Sequence, residues 1–276
     1  MKFNSFQLTD KTALITGGAG LLGVEHASAL LESGARVIIT DIDSVLLESV
    51  KNELSQIFDR SLIEIQVMDV TSEESIRSIN NLYISRGIDI SILVNNAAID
   101  PKVDSHDSLI ESSRLENQTL NDWNNQINVG LTGAFLCSKV FGSSMASKEG
   151  GIILNIASDL SIISPDQRLY RKSNTPEYLQ PVKPISYSVV KSGLVGLTKY
   201  LSTYWVENGV RSNCLSPGGV RNNQPDDFIA NLESRIPLGR MANKNEYRAT
   251  VQYLCSDASL YMNGQNIIVD GGRSTW

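Results

Sequence analysis

Histidine and cysteine are scarce in this chain of 276 residues: two of the first, His26 and His106, and three of the second, Cys137, Cys214 and Cys255. No Cys/His cluster has zinc-site spacing, so no metal is expected. Three well-separated cysteines do not make a disulfide framework; they fit buried thiols in a reducing, cytoplasmic setting. Basic charge is also in short supply, with 24 Lys and Arg against 30 Asp and Glu for a formal net charge of −6. Nucleic acid and membrane surfaces call for a basic field, so neither is expected as a partner. No apolar run approaches the length of a membrane span. The opening residues, MKFNSFQLTD, lack the apolar core of a secretion signal. Repeats, low-complexity tracts and interdomain linkers are absent too. What remains is a chain with 41% hydrophobic and 20% charged residues, expected to form one globular domain over residues 1–276.

The N-terminal third has a clear grammar. The apolar run Thr12–Thr16 leads directly into Gly17-Gly18-Ala19-Gly20-Leu21-Leu22-Gly23. Helical spacing continues through Val24, Ala27, Leu30 and Leu31 to Gly34, and the β-branched run Arg36–Thr40 ends at Asp41. Strand, glycine turn, helix, strand and acid in that order make a dinucleotide-binding unit. The glycines let the backbone approach a pyrophosphate at the helix N-terminus. Asp41 falls 24 residues past Gly17. A carboxylate there can accept from both ribose hydroxyls and repel a 2′-phosphate, so NAD is expected in preference to NADP.

The alternation continues: helix over Val45–Phe58, strand over Leu62–Met68 ending in Asp69-Val70, helix to about Arg86, strand over Ile90–Val94 ending in Asn95-Asn96-Ala97-Ala98. Alternating β and α elements predict an α/β, doubly wound Rossmann fold with a mostly parallel seven-stranded sheet. The segment from Asp100 to Asp122 carries six acids and two bases and reads as a loop with a short helix, either solvated surface or one wall of a substrate mouth. A long helix then spans Trp123–Met145 with Asn128 on it, and the strand Gly151–Ala157 ends at Ser158. Val210–Ser216 is the next strand, leading into Pro217-Gly218-Gly219-Val220. A short helix near Phe228–Arg235, a helix over Lys244–Ser256 and a last strand, Gln265–Val269, complete the chain.

Tyr187 and Lys191 stand four apart on a segment of helical pattern, so they share one face about a turn apart. A nearby ammonium lowers the pKa of a phenol from its usual value of about 10. Such a pair can serve as a general acid/base for an alcohol/carbonyl couple. Upstream lies the least regular stretch, 161–184, with four prolines and with Arg168, Arg171, Lys172 and Lys183 against Asp166 and Glu177. It reads either as a solvated surface loop or, in the preferred reading, as a lid whose Arg168, Arg171 and Lys172 meet an anionic substrate.

Taken together, these motifs resemble the short-chain dehydrogenase/reductase superfamily over essentially the whole chain. The matches are Thr16-Gly17…Gly23, Asp41, Asp69-Val70, Asn95–Ala98, Asn128, Ser158, Tyr187-x-x-x-Lys191, Pro217–Val220 and Val269-Asp270-Gly271-Gly272. The resemblance implies a catalytic set of Asn128, Ser158, Tyr187 and Lys191: Tyr187 as acid/base, Lys191 on the nicotinamide ribose, Ser158 orienting the substrate and Asn128 holding a water. It implies NAD contacts from Gly17, Gly20, Leu21, Leu22, Gly23, Asp41, Ile42, Asp69, Val70, Asn96, Ala97, Ala98, Tyr187, Lys191, Pro217, Gly218, Val220 and Asn222, and a homodimer or homotetramer.

Four departures stand out. Leu21 occupies the place of the short form's middle glycine, giving the spacing of the extended sugar-nucleotide epimerases and dehydratases. Ala98 replaces a frequent glycine, and Asn222 matches a common threonine. Ser158 and Tyr187 lie 29 apart, and the excess length is the basic lid. The lid and Leu215–Pro225 look similar to bacterial flagellin-modification dehydrogenases of nonulosonic-acid sugar pathways. The function implied is NAD-dependent interconversion of a secondary alcohol and a ketone on a sugar phosphate or nucleotide-linked amino sugar. A sugar-nucleotide epimerase or dehydratase with retained NAD, and a non-catalytic NAD-binding regulator, are the alternatives.

Overall fold

A computed structural model describes residues 5–99, 110–148 and 150–276. Seven strands pair into one sheet in the order β3-β2-β1-β4-β5-β6-β7. They are β1 (Thr12–Thr16), β2 (Arg36–Asp41), β3 (Ile63–Val67), β4 (Ile90–Asn95), β5 (Gly151–Ile156), β6 (Val210–Pro217) and β7 (Asn266–Val269). Every pairing is parallel, where the sequence predicted a mostly parallel sheet. All the strand C-termini therefore lie along one edge, which is where ligands bind in such sheets.

The strands are apolar on both faces because helices cover both. Neighbouring side chains on a strand point to opposite faces. Ala13, Ile15, Val37, Ile39, Val94 and Leu154 pack on one side against α1 (Leu21–Glu32), α2 (Ser44–Leu54) and α9 (Arg248–Leu254). Leu14, Ile38, Leu93 and Ile153 pack on the other, against α3 (Glu73–Ser85) and a long helical path. That path is built of α4 (Leu120–Ile127), α5 (Gly133–Cys137) and α6 (Ser143–Ser147), joined by π turns at Asn128–Thr132 and Ser138–Gly142. The helix α7 (Ile185–Tyr204) lies beside it, and α8 (Asp226–Glu233) packs Ile229 and Leu232 against Leu169 of the 161–184 loop.

Several ends differ from expectation for local reasons. The α4 helix begins three residues before Trp123, because the Thr119 hydroxyl accepts from the Asp122 N–H at 3.1 Å and caps it. The last long helix opens as a 3₁₀ turn, Lys244–Tyr247, before α9 takes over. Leu54 rather than Phe58 ends α2.

Two halves of the sheet are locked together inside the core. Asn95 of β4 donates to Asn155 of β5 at 2.8 Å and to the Ser138 hydroxyl at 3.0 Å. Asn155 in turn donates to Thr198 of α7 at 2.8 Å, and Thr198 donates to the Leu194 carbonyl. All four side chains are buried. The buried NH₂ groups need such partners, since an orphaned polar group costs about 1–3 kcal/mol; the Asn95 Oδ1 atom has none among the described residues.

Candidate active site

Between β1 and α1 the backbone turns with almost no room. Gly17 has φ +57°, and a Cβ there would lie 2.7 Å from the Ala97 Cα. A Cβ on Gly23 would lie 2.5 Å from the Gly17 carbonyl oxygen. Position 21 is different: its side chain is 40% exposed, so leucine stands there without a clash. Asn96 clamps the turn, donating to the carbonyls of Thr16 (3.1 Å) and Gly17 (2.9 Å) while the Thr16 hydroxyl receives its backbone N–H at 3.0 Å. Both of its amide N–H groups thus hold the turn.

Gly20 opens α1 with no side-chain cap and no acidic residue in the first turn. The positive end of the helix dipole and its free N–H groups suit a pyrophosphate. Asp41 sits beside this turn, its carboxylate 3.3 Å from the Ala19 N–H and 2.8 Å from that of Ile42. Asp69 accepts from both the N–H and the hydroxyl of Thr71 (2.8 and 2.7 Å). Val70 is buried against Gly133, where a Cβ would meet its methyl at 2.8 Å. Ile42 and Ala98 are exposed on the same edge. The bare helix terminus, the collision-limited glycines and the adjacent carboxylate fit a dinucleotide.

The catalytic candidates meet at the ends of β5 and α7. Lys191 is buried and donates from Nζ to the Ile156 carbonyl at 2.9 Å, at the last residue of β5. Its ammonium lies 5.7 Å from the Tyr187 ring centroid. Ser158, two residues beyond β5, is buried, and its hydroxyl donates to Asp159 Oδ1 at 2.9 Å while accepting from the Leu160 N–H at 3.2 Å. Asn128 is exposed and opens the first π turn of the long helical path. Such turns widen a helix locally and release backbone groups, commonly at functional sites. The approach of that turn to α7 is tight: a Cβ on Gly130 would lie 2.6 Å from Val190.

The far wall comes from β6 and its loop. Pro217 ends β6, and Gly218 after it is held by the Tyr247 hydroxyl, which donates to the Gly218 carbonyl at 3.1 Å. Val220 pairs with Ala242. Asn222 is exposed, with its N–H donating to the Gln224 side chain at 2.7 Å.

The segment expected to be a lid, 161–184, is a folded loop. Leu169 is buried among Ile229, Leu232, Ile236 and Met241, and the Tyr170 and Phe228 rings lie 5.5 Å apart. Gln180 ties its interior, taking the Lys172 N–H at 2.8 Å and donating to the carbonyls of Lys172 (3.0 Å) and Thr175 (2.7 Å). Arg114 reaches across to the Glu177 carbonyl at 2.8 Å, which makes the described part of the 100–122 segment a neighbour of the lid. The part over 100–109 lies outside the described residues.

Arg168 is held bidentately by Asp166 (2.8 Å to each oxygen) and Arg171 by Glu177 (3.0 Å). The paired arginines hold Asp166 below the usual carboxylate range, Arg168 foremost and Arg235 with it. Of the basic residues of this loop, Lys183 lies against Tyr187. Its Nζ lies 3.8 Å from the Tyr187 ring centroid. Lys183, Asp159 and Arg273 were not assigned roles from the sequence. The signal for the first was present, one residue before the Pro184 that opens α7; nothing in the sequence joins Asp159 to Arg273.

Comparison with known proteins agrees with this geometry. Residues 11–170, more than half the chain, match the family model described as short chain dehydrogenase. The chain belongs to the short-chain dehydrogenase family. Residues 176–274 of this short-chain dehydrogenase match a second model, enoyl-(acyl carrier protein) reductase. A D-threitol dehydrogenase of Mycolicibacterium smegmatis is 29% identical over 97% of this chain and 94% of its own length. A 2-dehydro-3-deoxy-D-gluconate 5-dehydrogenase of Bacillus subtilis is 31% identical over 98% of this chain and 96% of its own. Among solved structures, a Leptospira borgpetersenii short-chain dehydrogenase with bound NAD+ superposes with a TM-score of 0.81 at 32% identity, covering 99% of this chain and 96% of that one. A Burkholderia cenocepacia gluconate 5-dehydrogenase in complex with NADP and tartrate gives 0.84 at 26% identity, covering 99% and 98%. Like its relatives, this short-chain dehydrogenase is an NAD(P)-dependent oxidoreductase acting on alcohol groups. Among its described residues no helix is long and apolar enough to cross a membrane, and no group of three His, Cys, Asp or Glu could hold a metal.

Proposed function

We propose that the protein is an NAD-dependent dehydrogenase that oxidises a secondary hydroxyl of an anionic, polyhydroxylated small molecule to the ketone, or runs the reverse reduction. Sugar acids, sugar phosphates and nucleotide-linked amino sugars are the members of this class, the last two in keeping with a role in bacterial surface-glycan or flagellin modification. The observation that carries the anionic part is the Lys183 ammonium delivered by the lid onto the Tyr187 ring. Arg168 and Arg171 add little net charge to this, each being paired with a carboxylate of the same loop, Asp166 and Glu177. The polyhydroxylated part is supported by the relatives named for threitol and gluconate derivatives.

When bound, the nicotinamide supplies or accepts the hydride. The chain's residues do the rest. Tyr187 moves the substrate's oxygen proton, and Lys191 beside it favours the phenolate form. Ser158 fixes the substrate oxygen, and Asn128 holds the water that connects Lys191 to solvent. Gly17, Gly20, Leu21, Leu22 and Gly23 cradle the pyrophosphate. Asp41 and Ile42 line the adenosine ribose, with Asp41 selecting NAD. Asp69 and Val70 lie toward the adenine, and Asn96, Ala97, Ala98, Pro217, Gly218, Val220 and Asn222 bound the nicotinamide half. Exposed Leu120, Phe135, Tyr200 and Tyr204 on the α4–α5 and α7 faces support a homodimer or homotetramer.

The test is a thermal-stabilisation screen with NAD present, across sugar acids, sugar phosphates, nucleotide sugars and neutral polyols, followed by NADH formation on the hits. Stabilisation and turnover with anionic members is expected. Turnover confined to neutral polyols would remove the anionic reading, and Tyr187→Phe with near-normal turnover would remove the mechanism.

A further inference from the structure

The stem that carries Lys183 has no helix or strand of its own. It runs from Pro181 to Pro184, both buried, and proline has no backbone N–H to donate. Only Val182 and Lys183 offer such groups there, and a side chain from elsewhere in the chain accepts each of them. The Val182 N–H donates to the Ser113 hydroxyl at 3.0 Å, and the Lys183 N–H donates to Gln167 Oε1 at 2.8 Å.

Both acceptors are themselves held. Ser113 is buried in a turn tied by Glu111, whose carboxylate receives the Ser113 N–H at 3.0 Å and whose carbonyl receives the Asn117 side chain at 2.9 Å. Arg114, next along, donates to Glu116 at 2.6 Å and to the Glu177 carbonyl at 2.8 Å, so the turn is stapled to the 161–184 loop at two points. Its far end is fixed by Gln118, which donates to the Ser186 hydroxyl at 2.9 Å, and Ser186 donates in turn to Gln126 of α4 at 2.6 Å. Gln167 opens the 3₁₀ turn Gln167–Tyr170, capped by Asp166, and Leu169 of that turn is buried against α8.

The two lysines beside Tyr187 therefore differ in what places them. Lys191 follows the tyrosine on one helix and needs no further support for its backbone. Lys183 is a point charge on a flexible four-carbon arm, and it is aimed only as well as its backbone is held. We infer that Ser113 and Gln167 are positioning residues for Lys183: they fix the backbone at 182–183 from two sides and so set the ammonium 3.8 Å from the Tyr187 ring centroid. Preference for an anionic substrate then depends on a serine and a glutamine that lie outside the catalytic set. The kinetic part of this rests on the reading of Lys183 as the contact for the substrate's charge.

Two measurements test this. In protein labelled with carbon-13 at lysine Cε, the Lys183 methylene protons over the face of the Tyr187 ring should resonate upfield of those of exposed lysines, and Lys183→Gln assigns the signal by removing it. Ser113→Ala and Gln167→Ala together should return the signal to the exposed-lysine position, and each alone should move it part of the way. Ser113→Thr, which keeps the hydroxyl, should leave it shifted. A wild-type Lys183 signal among the exposed lysines overturns the inference whether or not the variants fold, and so does a signal unmoved in the double variant. Steady-state kinetics with D-gluconate and the neutral D-threitol provides the second readout. The double variant should raise the ratio of D-gluconate KM to D-threitol KM about fivefold, and the same pair of substitutions in a Lys183→Gln background should leave that ratio unchanged. An effect that persists without Lys183, or no effect in its presence, means that Ser113 and Gln167 serve folding alone. If Lys183→Gln by itself leaves the ratio at the wild-type value, or neither compound turns over, the anion-contact reading fails while the lysine signal still decides what places Lys183.

Discussion

The ammonium of Lys183 lies 3.8 Å from the centroid of the Tyr187 ring, closer than the 5.7 Å of Lys191. The tyrosine is thus flanked by two lysines of different origin: one from the same helix, one from the lid. Lys191 is buried and tied to β5, whereas Lys183 is half-buried at the mouth. Lys183 should therefore act on the substrate's charge. Lys183→Gln is expected to raise KM about tenfold for a sugar acid or sugar phosphate, equivalent to about 1.4 kcal/mol, and to change KM for a neutral polyol less than twofold. Equal effects on both would return the lysine to a packing role.

Asp41 gives the test of the proposed NAD selectivity. A carboxylate hydrogen bond to a neutral donor is worth about 1.5–3 kcal/mol. Asp41→Ala should reduce the NAD over NADP preference in kcat/KM on the order of a hundredfold. Because Asp41 also receives the Ala19 N–H, part of the loss should appear as weaker binding of both cofactors. Isothermal titration with each cofactor separates the two effects; an unchanged preference would assign selection to other residues.

His26 gives the stability a pH dependence. It is completely buried on α1, and burial, only partly offset by the neighbouring Asn96 side chain, pushes its pKa down to about 4. The unfolded chain takes up this proton near pH 6.5, while the folded one refuses it until about 4. The stabilisation is therefore complete above pH 6.5 and is lost as pH falls toward 4, with about 2 kcal/mol gone by pH 5. Denaturant titrations at pH 7 and 5 should show this loss, and His26→Leu should flatten it. A variant with the same pH slope as wild type would place the acid sensitivity elsewhere.

Gly130 has a purely steric test. A methyl there meets Val190 at 2.6 Å, directly before Lys191 in sequence. Gly130→Ala should destabilise by about 1–3 kcal/mol and lower kcat by displacing α7. Adding Val190→Ala should restore much of both losses. Failure of this rescue, measured by thermal melts and turnover together, would show that the π turn needs glycine for another reason.

Much of the fold was legible because parallel strands covered on both faces are short apolar runs, as in Leu14, Ile15, Ile38 and Ile39. The glycine turn and the Tyr187–Lys191 pair were legible because their chemistry depends on local spacing. The lid was not. Counting charges gave it a positive face, but Asp166 and Glu177 hold Arg168 and Arg171, and Arg235 arrives on Asp166 from 69 residues away. An irregular loop has no period from which such pairings can be read. The same holds for Arg273 and Asp159, which are 114 residues apart.

The Asn95–Asn155–Thr198 chain has a bearing on recombination between relatives. A chimera joined inside the lid takes Asn95 and Asn155 from one parent and position 198 from the other. If that second parent offers no acceptor at position 198, Asn155 Nδ2 is left stranded between β5 and α7, at a cost of about 1–3 kcal/mol. Exchange of the C-terminal half thus has a compatibility condition set by a buried hydrogen bond between β5 and α7.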